Sequence, residues 1–199
     1  VPSRRGRFEF LRRVIRGSQQ IGGLLAGAMS RTAAYDFVRL GHYLERADMT
    51  TRILDVRSAN LLSRAGQTQT QTQTAATEKE EQDPFESIQW MSVLKSLSAY
   101  QMYRQQVRVR VSGPDVLKFL LQDEYFPRAV VFCLRQLEIC LRKLPRNEAS
   151  LAALAALRQK LNAAAVPELT HEGLHEFIDE VQMGFGELHN QIAAAYFAH

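Results

Sequence analysis

The stretch Tyr35-Asp-Phe-Val-Arg-Leu-Gly-His-Tyr-Leu-Glu-Arg-Ala-Asp-Met-Thr-Thr-Arg-Ile-Leu-Asp55 repeats its apolar residues at helical spacing. At about 100° per residue, Phe37, Leu40, Leu44, Ala47, Thr51 and Leu54 share one face. Val38, Met49, Ile53 and Val56 form a second apolar stripe, and Arg39, Tyr43, Arg46 and Thr50 a third, polar one. A helix apolar on two sides is expected to be packed on two sides, which makes this the central helix of a bundle. Glu45 lies beside the second stripe with His42 near it, so some of these charges are expected to be partly buried. A buried charge is costly unless it is paired and hydrogen-bonded. Asp36 with Arg39, and Asp48 with Arg52, have the spacing for pairs along the helix.

The flanking sequence continues the helical pattern. On the N-terminal side, residues 7–29 carry Phe8, Leu11, Val14, Ile15, Leu24 and Leu25 at helical intervals, and Ser30 is an N-cap candidate for the central helix. On the other side, Gly66 is a natural terminator. The strict Gln-Thr repeat of residues 67–74, with Ala75–Asp83 after it, lacks core material, so residues 66–83 are expected to be one long flexible loop. Pro84 opens a helix expected to run to about Gln106. Val107–Val111 alternates Val and Arg like a strand but has no partner strand elsewhere. Ser112-Gly-Pro114 starts a short helix through Leu121, Pro127 another that ends near Leu144, and residues 147–163 a third. Thr170 is placed to cap the last helix, whose stripe is Leu174, Phe177, Ile178, Val181, Phe185, Leu188, Ile192 and Ala195. Short connections favour antiparallel neighbours, so the expected fold is an all-α, antiparallel multi-helix bundle forming a single domain over residues 1–199.

The totals fit that reading. A chain of 199 residues with 46% hydrophobic and 23% charged side chains is an ordinary globular domain, able to bury roughly 70% of its unfolded surface without a staple. Cys133 and Cys140 would lie about 10 Å apart along one helix, beyond the roughly 4.4–6.8 Å that a disulfide spans. They are expected to be free thiols in a reducing compartment, and the chain to be cytoplasmic. No apolar run reaches the roughly 18–20 residues of a membrane span. The net charge of +4 is uneven: residues 1–66 hold twelve Arg against five acids. The Arg-rich start (Arg4, Arg5, Arg7, Arg12, Arg13, Arg16) would suit a nucleic-acid-binding helical module, but it lacks a stacking platform and a recognised motif.

The residues Leu40-Gly-His-Tyr-Leu-Glu-Arg-Ala47 resemble the Leu-Gly-Arg-Tyr-Leu-Glu-Arg-Ala signature of the alpha-E family, bacterial helical proteins named for their Glu-Arg motif. Phe10-Leu-Arg-Arg-Val-Ile-Arg-Gly17, Asp48-Met-Thr-Thr-Arg-Ile-Leu-Asp-Val56, Val93-Leu-Lys-Ser96, Ala99-Tyr-Gln-Met-Tyr103, Phe119-Leu-Leu121 and Phe126-Pro-Arg128 extend the resemblance. It spans nearly the whole chain outside the Gln-Thr repeat. His42 stands where the family usually has Arg, and Ala129 where Ser is common. Family members are longer and usually carry an earlier copy of the motif, so this chain is expected to be the C-terminal part of a longer domain. Members accompany ATP-grasp-type ligases and transglutaminase-like peptidases, so the resemblance implies these as partners. It implies a non-catalytic accessory role in ATP-dependent amide or peptide bond formation.

The candidate site residues are Arg39, Tyr43, Glu45, Arg46, Lys95, Tyr103 and Arg128. Glu45 and Arg46 point about 100° apart, so each needs a partner on another helix. One reading is an interhelical ion-pair network that fixes the bundle. The other is a polar pocket in which Arg39 and Arg46 grip a carboxylate or phosphate while Glu45 grips an amine; Arg suits bidentate anion recognition. Lys95 and Tyr103 belong to a second group with Tyr100 and Arg104. Arg128, after Pro127, is expected at a helix N-terminus, where anions bind well. His171-Glu-Gly-Leu-His175 spells the H-E-x-x-H motif of zinc hydrolases, with Glu172 as base. It sits at a helix start, however, and no third ligand follows at a recognised spacing. No catalytic residue, metal or cofactor is therefore assigned, and self-association is left open.

Overall fold

The computed structural model describes residues 3–68, 84–107, 110–166, 168–170 and 173–198. All regular structure among them is helical: α1 (Arg4–Ala28), α2 (Ala33–Thr68), α3 (Pro84–Ser96), α4 (Tyr100–Gln106), α5 (Gly113–Gln122), α6 (Val130–Leu141), α7 (Glu148–Ala163), a 3-10 turn (Glu168–Thr170) and α8 (Leu174–Tyr196). The all-α reading therefore holds. No helix among the described residues is long and apolar enough to cross a membrane.

Side-chain contacts fix the directions. Along α2, Asp36 meets Lys143, Arg39 meets Gln136, and Thr50 meets Arg128. The numbers rise on one helix as they fall on the other, so α2 and α6 are antiparallel. Phe37 lies against Tyr196 at the start of α2, and Asp55 bonds His175 further along, so α2 and α8 are antiparallel too. The α7–α8 pair follows the same rule, with Lys160 bonded to Glu180. The core takes Leu40, Ala47 and Leu54 from α2, Leu134, Leu137 and Leu141 from α6, and Ile178, Val181 and Leu188 from α8, all buried. Fully burying each such leucine or isoleucine is worth about 1.5–3 kcal/mol, which is what holds helices of modest intrinsic propensity in place.

Several boundaries differ from the sequence reading, for local reasons. Ser30 does not cap α2, which starts at Ala33 with Asp36 N–H bonding to the Thr32 carbonyl. Gly66 does not end it; the helix runs on to Thr68. The rest of the expected loop, residues 69–83, lies outside the described residues. The helix from Pro84 breaks at Ser98, whose φ of 52° is left-handed, and the Ala99 N–H bonds back to the Leu94 carbonyl. Ser112 caps α5 as expected, accepting from the Asp115 N–H. Pro127 does not start a helix. It sits in a turn organised by Asp123, whose carboxylate accepts from the Tyr125 and Phe126 N–H groups, and α6 begins at Val130. Thr170 ends the 3-10 turn, and α8 begins after Gly173, left-handed at φ 80°. Of the Val107–Val111 stretch, residues 108–109 lie outside the described residues.

Helix α2 is not covered on two sides. Its first face packs as expected on α6 and α8, but Val38, Met49 and Val56 of the second stripe are 40%, 43% and 63% exposed. None of the described helices lies over that stripe closely enough to bury it. Helix α1 goes further. It has no buried residue at all, and Phe8, Phe10, Leu11, Val14, Ile15, Ile21 and Leu24 are all exposed.

Candidate functional site

The third stripe of α2 is where polar groups gather. Arg39, Tyr43, Arg46 and Thr50 follow one another at steps of four, three and four, so they form one line along the helix. That line faces the N-terminal half of α6 and the turn before it. Thr50 is buried, and its hydroxyl lies 2.9 Å from the Arg128 carbonyl. Arg46 donates to the Pro127 carbonyl at 3.3 Å and also meets the His42 ring nitrogen Nε2. Arg39 donates to Gln136 Oε1 at 2.6 Å on α6. Tyr43 lies between the two arginines, its ring 5.5 Å from the Arg39 guanidinium and 5.6 Å from that of Arg46.

The turn thereby brings the Arg128 guanidinium up to that of Arg46. Burial, and then the positive charge of Arg46, hold the Arg128 pKa below its ordinary value. The His42 pKa is lowered by burial and then by Arg46 and Arg128 together. No ion pair among the described residues uses Arg39, Arg46 or Arg128. Helix α6 starts beside them at Ala129 without a side-chain cap. The Arg46 and Arg128 guanidiniums and the His42 imidazole thus stand together with no ion pair among the described residues to balance them, and Arg39 stands two turns away along α2, on the other side of the Tyr43 ring. Such a group repels itself, and a bound anion relieves the repulsion. Cys133 adjoins the cluster, its Sγ 3.6 Å from the Pro127 carbonyl. Burial pushes its thiol up to about 12 against the opposing pull of Arg46 and Arg128, so it stays protonated at neutral pH and is no nucleophile.

The sequence-predicted residues divide. Arg46 and Arg128 come together, with Tyr43 beside Arg46 and Arg39 on the other side of that ring. Glu45 does not join them: it is exposed, on the far flank of the second stripe. Lys95 is exposed and lies over the Tyr100 ring at 5.6 Å, away from these contacts. Tyr103 is wholly buried in the core against Phe119; burial pushes its pKa up, and its hydroxyl lies beside the Ser112 backbone without meeting any group at hydrogen-bond geometry among the described residues. Arg128 precedes the helix cap rather than standing inside the helix. Of the two pairings expected along α2, Asp48–Arg52 forms at 2.6 Å. Asp36 instead takes Lys143 at 3.3 Å, because its buried position faces the end of α6. His42, Thr50 and Gln136 complete the cluster; only the polar stripe, read as a continuous line, pointed to Thr50.

The chain matches the model of a family described as "Alpha-E: A predicted alpha-helical domain with a conserved ER motif" over residues 2–197. It belongs to the Alpha-E family. No curated protein and no solved structure matches it. In this Alpha-E chain the two residues of the motif serve different surroundings: Arg46 is turned into the cluster and Glu45 away from it.

Two other polar groups stand apart from the cluster. An open groove of about 540 Å³ between α6 and α7 is lined by Glu138, Arg142, Leu154 and Arg158 among others. Its charges satisfy one another, with Glu138 bonded to Arg142 at 2.6 Å and to Arg158 at 3.0 Å, so it offers no unbalanced charge to a ligand. His175 bonds Asp55 at 2.7 Å and faces Asp179 at 3.6 Å. The zinc-hydrolase motif needs both of its histidines on one continuous helix. Here left-handed Gly173 interrupts the backbone and α8 begins only at Leu174; His171 and Glu172 lie outside the described residues.

Proposed function

We propose that this Alpha-E chain is a non-catalytic binding module whose Arg46 and Arg128, with His42, hold the carboxylate of an amino acid or peptide, with Arg39 two turns along the same line of α2. One observation carries the reading: the Arg46 and Arg128 guanidiniums and the His42 ring stand together, and none of them forms an ion pair among the described residues. Guanidinium groups grip planar carboxylates through paired N–H bonds, and partial burial strengthens that attraction over its value in water. Tyr43 supplies an aromatic wall beside the bound group. The resemblance of the sequence to proteins that accompany ATP-grasp-type ligases supplies the partner: the module presents the carboxylate, which such a ligase activates with ATP before an amine attacks it.

Calorimetric titration with an N-acetylated amino acid, and with the same compound as its amide, tests the reading. Binding of the acid alone, weakened in Arg46→Gln and Arg128→Gln, supports it. Equal binding of acid and amide, or binding that survives both substitutions, overturns it. The ligase step is tested separately, by the rate of ATP-dependent amide formation with and without the module.

A further inference from the structure

We infer that the polar line of α2 is a binding track for an extended acidic peptide. Its terminal carboxylate sits at Arg46 and Arg128, and a side-chain carboxylate three residues upstream meets Arg39. The inference rests on the carboxylate reading above and names the class of ligand. It starts from the spacing of the cations. Arg39 and Arg46 are seven residues apart on α2, which is about 10.5 Å along its axis. The Tyr43 ring stands between them, 5.5 Å from one guanidinium and 5.6 Å from the other. The alternation continues toward the start of α2, where the Tyr35 ring lies 5.9 Å from the Arg39 guanidinium and 4.0 Å from that of Arg31.

None of Arg31, Arg39, Arg46 and Arg128 forms an ion pair among the described residues. Arg39 is engaged only by neutral side chains, Gln136 at 2.6 Å and Tyr43. A guanidinium has five N–H donors, so these bonds leave others for a ligand. Helix α6 forms the second side of the track, with Phe132 against Tyr43 and Gln136 against Arg39. Tyr35, Tyr43 and Phe132 are all half-buried, so the track has ring surface between its charges. A single small anion would engage the Arg46 end and leave Arg39 without an acid. An extended peptide advances about 3.3–3.6 Å per residue, so three residues cover about 10–11 Å, the interval from Arg46 to Arg39. The doubled guanidinium suits the terminal carboxylate and the single one a side chain. Single-stranded nucleic acid fits less well, because it needs open ring faces for its bases and a guanidinium lies over each tyrosine here.

Calorimetric titration compares two peptides with free C-termini, acetyl-Glu-Ala-Ala-Ala and acetyl-Gln-Ala-Ala-Ala. They differ by one carboxylate, three residues before the terminal one. The expected result is that the wild-type chain binds the glutamate peptide about tenfold more tightly or better. In Arg39→Gln the two peptides should bind alike. Equal binding of both by the wild-type chain overturns the inference. So does a preference for glutamate that survives Arg39→Gln with circular dichroism unchanged. The wild-type comparison needs no variant, so it decides the matter even if Arg39→Gln does not fold. If the glutamine peptide binds and glutamate adds nothing, the terminal-carboxylate reading stands and only the track falls; if neither peptide binds, both fall. Tighter binding of a single-stranded oligouridylate than of the glutamate peptide assigns the line to nucleic acid and also overturns the inference.

Discussion

The Thr50 hydroxyl on α2 lies 2.9 Å from the Arg128 carbonyl and 3.0 Å from the Arg46 carbonyl. It has one proton to give, so the two carbonyls share it. This contact holds the turn before α6 against the middle of α2, and with it the separation of the two guanidiniums. Thr50→Val keeps the shape and removes the donor. A buried carbonyl left unsatisfied costs about 1–3 kcal/mol. The expected outcome is a lower urea midpoint together with weaker anion binding, as the turn loosens. A loss of stability with unchanged anion affinity would detach Thr50 from the site.

Anion binding should depend on the arginines unequally with the motif glutamate. Charged hydrogen bonds are worth about 1.5–3 kcal/mol, so Arg46→Gln or Arg128→Gln should lower affinity roughly tenfold or more. Glu45→Gln should not lower it, because Glu45 faces away from the cluster in its own chain. Parallel titrations of the three variants decide the matter.

Affinity for the anion should also rise as pH falls. His42 titrates below its ordinary value of 6.5 because burial, Arg46 and Arg128 disfavour its charged form. Protonation adds a positive charge beside the anion, so binding strengthens as pH drops through that lowered pKa. The bound anion should in turn raise the His42 pKa. Following the His42 ring by NMR with and without ligand measures both effects. An identical titration in the two states would place His42 outside the site.

His175, whose pKa is shifted the other way, should couple pH to stability. Asp55, and then Asp179, hold its pKa above 6.5. A group raised in the folded state contributes its full stabilisation below its unfolded pKa and loses it as pH rises through the folded value. The melting temperature of the wild-type chain should therefore exceed that of His175→Gln at pH 6, with the gap closing at higher pH. Melting curves across pH 5.5 to 9 read the gap. The site is exposed, so the effect is small.

Two glycines should respond to alanine in opposite directions. A methyl group at Gly113 would come within 2.8 Å of Trp90 Nε1, on a ring that is buried and bonded to Glu86. Overpacking of this kind costs about 1–3 kcal/mol. At Gly41, inside the motif helix, nothing lies within 4 Å, so alanine should stabilise by about 0.5–1 kcal/mol. Chemical denaturation of the two variants checks the contrast.

Helical periodicity was enough to determine the all-α class, the apolar face of α2, the stripe of α8 and the Asp48–Arg52 pair, because each depends on residues within a few turns of one another. The line Arg39, Tyr43, Arg46, Thr50 was visible for the same reason. Only the tertiary structure decided what that line meets. The antiparallel packing of α6 brings Pro127 and Arg128 back onto it across some eighty residues of chain, gives Asp36 to Lys143 instead of Arg39, and leaves Glu45 outside. It also decided that the second stripe of α2 lies open. Periodicity shows that a helix face is apolar, but whether that face is covered depends on where the other helices pack, and no local spacing carries that information.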